Sequence, residues 1–88
     1  MEIKNAEGFL TTLESGPYAW PGGYPLYYVT KDCEALSFEA ARENQKLIAE
    51  AIRDGYEADW IVVSIEINWE DPELFCCHSN KRIESAYA

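Results

Sequence analysis

The segment WIVVSIEIN, Trp60–Asn68, decides the fold. Ile61, Val63, Ile65 and Ile67 fall on one side of a period-two pattern, and Trp60, Val62, Ser64, Glu66 and Asn68 on the other. β-Branched residues alternating in this way predict a strand whose first face is apolar and needs a cover. That cover lies just upstream, in FEAARENQKLIAEAIRD. Ala40, Ala41, Leu47, Ile48, Ala51 and Ile52 share one stripe at helical spacing, with Glu39, Arg42, Glu43, Lys46, Glu50 and Arg53 opposite. Ser37 is placed to cap the helix start, Glu39 suits its dipole, and Gly55 stands where a left-handed C-terminal residue belongs.

Working outward, YPLYYVT to Thr30 reads as a second strand and KDCE as the turn after it. Before it, GPYAWPGGYP holds three prolines and three glycines in ten residues, which predicts an irregular loop. AEGFLTTLESG is compatible with a short helical turn ending at Gly16. Beyond Asn68, WEDPE is an acidic turn in which Pro72 stops the strand, and LFCC and RIESAY form two short strands around HSNK. The expected fold is α+β: one domain over residues 1–88, with a small antiparallel sheet and one amphipathic helix, about residues 38–53, packed on one face.

Composition narrows the function. Sixteen acids against seven bases leave a net charge of −9, a field that repels nucleic acid and anionic membranes and favours basic partners. From Asp54 to Asn80 there are seven acids and no Lys or Arg. Glu57, Asp59, Glu66, Glu70, Asp71 and Glu73 are therefore the candidate partner-binding residues; the plainer reading is a solvated, solubilising edge. The first ten residues lack the basic flank and apolar run of a secretory signal, and the longest apolar stretch is WIVV. Three cysteines, an odd number, then read as reduced thiols in a cytoplasmic protein.

The strongest hint of chemistry is ELFCCHSN, Glu73–Asn80. A structural zinc takes four ligands, usually in two short-spaced pairs. Cys76 and His78 have same-face spacing, Cys33 is a candidate third ligand and Glu73 a fourth, whereas adjacent Cys76 and Cys77 point apart on a strand. The alternative is that the cysteines are small core residues, with no metal or other cofactor. A Cys–His nucleophile lacks a third group to orient His78. Glu70, Asp71 and Glu73 match no EF-hand spacing, and PGGYP has neither the Lys nor the helix of a phosphate loop. Tyr18, Trp20, Tyr24, Tyr27 and Tyr28 crowd eleven residues: a stacking platform for single strands, a core cluster, or a partner-binding patch. The absence of local base disfavours the first.

Two segments carry a resemblance. SGPYAWPGGYPLYYVTKD (Ser15–Asp32) and INWEDPELFCCHSNKRIESAYA (Ile67–Ala88), with ALSFEAARENQ between them, resemble a family of small uncharacterised proteins from tailed phages and prophages. The resemblance covers most of the chain from Ser15 onward and implies an origin, not an activity. Many such relatives carry a CxxC at the helix start and another in the final turn, similar to a zinc ribbon. Here those positions fall on Ser37 and Ala40, and on Cys76 and Ser79, so most ligands of the framework are lost. The resemblance implies a knuckle kept as a turn. Together with the charge of −9 and the base-free stretch from Asp54 to Asn80, the phage-like motifs lead to the expectation of a non-catalytic phage accessory protein that binds a host protein with a basic surface, such as a nuclease or CRISPR complex, in the manner of anti-CRISPR inhibitors. The alternative function is a residual zinc-binding module.

Overall fold

In the computed structural model, residues 1–19, 21–55 and 60–87 are described. The elements run α1 (Ala6–Ser15), β1 (Tyr18–Ala19), β2 (Tyr24–Thr30), β3 (Ala35–Leu36), α2 (Phe38–Glu43), α3 (Gln45–Asp54) and β4 (Val62–Ile67). The fold is α+β, with an antiparallel four-stranded sheet centred on β2: β4 pairs along it, and β1 and β3 pair with its two ends. Residues 1–3 extend the pairing onto β4, through Ile3 N–H to Val63 O at 2.8 Å and Ile65 N–H to Met1 O at 2.9 Å.

The strand Trp60–Asn68 forms, but its inner face differs from strict alternation. Thr30 pairs with Val62 and Val29 with Ser64, so Val63 is an extra residue, a bulge. The bulge flips the phase, and Val62 and Ile65 enter the core while Val63 stays half-exposed.

The single helix expected over 38–53 is two helices broken at Asn44, whose backbone leaves the helical region at φ −115° and ψ 23°. Its side-chain amide folds back to donate to Ala40 O at 2.9 Å, the local competition that makes Asn a poor helix interior. The break resets the stripe: Ile48, Ala49 and Ala51 are buried and Leu47 is exposed. Both ends behave as the sequence predicts. Ser37 Oγ accepts from Ala40 N–H at 3.1 Å, and Gly55 is left-handed at φ 75° with its N–H on Ala51 O. The short turn expected before Gly16 is a ten-residue helix, α1, capped by Asn5 Oδ1 on Gly8 N–H at 2.7 Å. It too faces the core.

That core gathers Phe9 and Leu13 of α1, Tyr28, Leu36, Phe38, Ala41, Ile48, Val62, Ile65, Cys76 and Ile83. Tyr28 lies at its centre, edge-on to Phe9 at 5.3 Å and stacked on Phe38 at 5.4 Å. Its hydroxyl shares a 2.7 Å hydrogen bond with Thr12 Oγ1, so the buried polar tip is satisfied. Burial pushes this phenol up to about 12, against the opposing pull of Thr12 and Arg42.

Candidate functional site

Two structures stand out, and both come from the C-terminal third. The first is the acidic turn after β4, held by one buried side chain. Asn68 Nδ2 donates to the carbonyls of Asp71 at 3.1 Å, Ile83 at 3.3 Å and Glu84 at 3.1 Å, while its Oδ1 accepts from Asp71 N–H. The backbone of Asn68 is paired as well, its N–H to Pro25 O and its carbonyl from Ala86 N–H. Asn68 thus ties the WEDP turn, β2 and the RIESAY tail together.

The turn so anchored displays Glu70, Asp71 and Glu73, all exposed, beside Trp69. Trp69 sits 4.7 Å from Tyr24 and 6.1 Å from Tyr87, ring centre to ring centre, and Tyr24 lies 6.4 Å from Tyr87. Trp69 is 46% and Tyr87 65% exposed, so this aromatic trio is a surface feature. Tyr87 N–H bonds Trp69 O at 2.9 Å, which fixes the tail against the turn. Gly22, at φ +110°, lets Tyr24 into place, because a Cβ there would come within 2.6 Å of the Tyr24 ring. Tyr18, also exposed, donates to Glu84 Oε1 at 3.0 Å. Hydrogen bonding to Tyr24, foremost, and the Glu70 carboxylate raise the Tyr87 phenol.

The predicted partner-binding acids divide. Glu70, Asp71 and Glu73 share the turn, but Glu66 is held 2.7 Å from the Met1 ammonium, and Glu57 and Asp59 lie outside the described residues. The crowded aromatics divide too. Tyr28 is core and Tyr24 joins the surface trio, whereas Trp20 lies outside the described residues. Local density in residues 18–28 did not point to Trp69 and Tyr87, because the trio is assembled from three distant segments. The only sequence signal was the run of apolar-plus-acidic residues in NWEDP.

The second structure is the turn of Cys76. Its sulfur is fully buried and accepts from Ser37 N–H at 3.3 Å and Ser79 N–H at 3.5 Å, and Ser37 Oγ in turn accepts from Ala40 N–H. Positions 37, 40, 76 and 79 are therefore joined through hydrogen bonds. Burial opposes ionisation of Cys76, but the donors of Ser37 and Ser79 outweigh it and bring the thiol down to about 7. Cys33 is exposed at the β2–β3 turn with φ 64°, and His78 packs against Trp60 at 4.9 Å. Among the described residues no three His, Cys, Asp or Glu side chains converge, so Cys33, Cys76 and His78 are not assembled as zinc ligands.

Beside this turn a cavity of about 140 Å³ is lined by Glu34, Leu36, Trp60, Cys77 and His78. Burial, then Cys76 and Glu34, push the Cys77 thiol up to about 11, which keeps it protonated and weakly nucleophilic at neutral pH. No helix among the described residues is long and apolar enough to cross a membrane. Compared with protein-family models, curated proteins and solved structures, the chain matches none.

Proposed function

We propose that this chain is a non-catalytic binding protein whose WEDP face engages a basic surface on a protein partner. One observation carries the reading: the exposed acids Glu70, Asp71 and Glu73 ride on a turn that Asn68 fixes beside the exposed rings of Trp69 and Tyr87. Aromatic anchors ringed by charge are the composition of an interaction hot spot and its rim. The net charge of −9 selects a basic partner, and the partner class it fits best is a protein that itself binds nucleic acid. A phage accessory protein blocking the groove of a host nuclease or CRISPR complex from the bacterial cytoplasm has this chemistry.

In this reading the Cys76 turn is structural. Hydrogen bonds from Ser37 and Ser79 hold the sulfur of Cys76, the one ligand position of the ribbon framework that the resemblance leaves as a cysteine. An unchanged melt in chelator is expected, and a fall in melting temperature would favour the zinc-module reading instead.

The test is capture of partners by the tagged full chain from bacterial lysate at low and high salt, beside an E70Q/D71N/E73Q variant. A stoichiometric nucleic-acid-binding partner that is released by salt and lost by the variant is expected. A partner held equally at both salts and by both proteins would overturn the acidic reading.

A further inference from the structure

The aromatic trio has a feature that an acidic docking face does not need. Charge complementarity requires only carboxylates, yet the chain holds two rings, Trp69 and Tyr87, open to solvent against a half-buried third, Tyr24. Trp69 is tied to Tyr87 through the backbone, and Tyr24 is seated against Gly22. Trp69 and Tyr87 are nearly parallel, 11° apart, with Tyr24 tilted about 55° to both. The arrangement is an exposed stack of two rings with a half-buried, tilted third ring against it.

We propose that this aromatic cluster, Tyr24, Trp69 and Tyr87, seats an arginine side chain of the protein partner on an exposed ring face, with the Glu70 and Asp71 carboxylates as its counter-charges. The proposal rests on the protein-binding reading above and adds the chemistry of the contact. A guanidinium is planar and weakly hydrated, so it stacks on an aromatic face and still offers edge N–H groups to carboxylates. A lysine ammonium is a strongly hydrated point charge and gains less from a flat ring face. The molecule already uses this contact internally, where the Arg42 guanidinium lies 5.3 Å over the Phe38 ring.

The surrounding charge agrees. Glu70 and Asp71 follow Trp69 directly, and Glu84 is held nearby on Tyr18. Of the bases in the same tail, Arg82 donates to Pro72 O at 3.1 Å, and Lys81 stands 4.0 Å from Glu39. A second copy of the chain is a poor occupant, since it would set one acidic turn against another.

The test uses the ¹⁵N-labelled full chain and follows its tryptophan indole N–H resonances, with Trp69 assigned by its loss in Trp69→Phe. The probes are two capped pentapeptides of equal charge, Gly-Arg-Gly-Arg-Gly and Gly-Lys-Gly-Lys-Gly. The Trp69 resonance is expected to respond to the arginine peptide at about fivefold lower concentration than to the lysine peptide. Tyr87→Ala, at an exposed position, is expected to erase that preference while leaving the melting temperature unchanged. Equal responses to both peptides, a response confined to other tryptophans, or a Trp69 shift driven by protein concentration alone would each overturn the proposal. The two readings separate cleanly. A captured partner kept by Tyr87→Ala but lost by E70Q/D71N/E73Q would remove the arginine seat and leave acidic binding standing. Arginine selectivity without any captured partner would do the reverse.

Discussion

Cys76 joins two properties that rarely coexist, full burial and a thiol brought down to about 7. The cause is local: the backbone N–H groups and hydroxyls of Ser37 and Ser79 stabilise negative charge on the sulfur. Between about pH 7 and 9 the unfolded chain keeps a proton that the folded chain has released, so stability rises with pH in that window and is lost as pH falls through about 7. Cys76→Ala should flatten that slope in melts taken from pH 6.5 to 9, and should cost about 2 kcal/mol by emptying a core position and stranding two donors. A slope that persists in the variant would assign it elsewhere. Tyr28 carries the opposite sign. Its phenol, raised to about 12, stays neutral where the unfolded chain ionises, so stability is full below pH 10 and is lost as pH rises toward about 12. Tyr28→Phe keeps the Phe9 and Phe38 ring contacts and should remove that alkaline loss. A decline as steep as wild type in the variant would assign it to the other raised groups, Cys77 at about 11 and the phenols of Tyr18, Tyr27 and Tyr87.

At the scale of elements, the turn after β4 depends on one amide. Asn68→Ala leaves the carbonyls of Ile83 and Glu84 short of a donor and should cost about 2–4 kcal/mol. Asn68→Asp should be worse at neutral pH, since a carboxylate would face three carbonyl oxygens, and should recover as the acid protonates. Urea melts at pH 7 and pH 4 check this; an Asp variant no weaker than Ala at pH 7 would show that the network rearranges. Asn68 also marks the limit of what the sequence made legible. Strands β2 and β4, the Ser37 cap and the Gly55 terminus follow from local periodicity and backbone chemistry, and all are present. The bulge at Val63 does not, because it is settled by tertiary register, which no window of period two contains; nor does the break at Asn44, where a local side-chain bond to Ala40 O interrupts a stripe whose 3.6 period runs on unchanged in the sequence. Asn68 was read as one more outward residue of a strand, and its three carbonyl partners lie up to 16 positions away. The acidic turn was visible as composition; its aromatic neighbours required the fold to bring Tyr24, Trp69 and Tyr87 together.

For the molecule as a whole, sixteen acids and seven bases occupy a body 37 Å in its longest dimension. At 0.01 M salt the screening length is about 30 Å, so most of these charges interact, and their net effect is repulsion that weakens the folded state. At 1 M it falls to about 3 Å and the repulsion is removed. Salt should therefore raise the melting temperature, by roughly 4–8 °C for each kcal/mol of repulsion screened. The same salt should weaken the complex with a basic partner, because attraction across an interface is screened as readily as repulsion within a chain. The opposite signs are what make the experiment decisive. A salt that merely stabilised or destabilised the fold would move both quantities together, whereas a charge-driven partner requires them to part. The E70Q/D71N/E73Q variant sharpens the test: three fewer negative charges should raise the low-salt melting temperature while reducing the salt sensitivity of binding. If melting temperature falls with added salt, the surface is held by attractive pairs such as Met1–Glu66, and the excess of acid is neither a strain on the fold nor a lure for a partner.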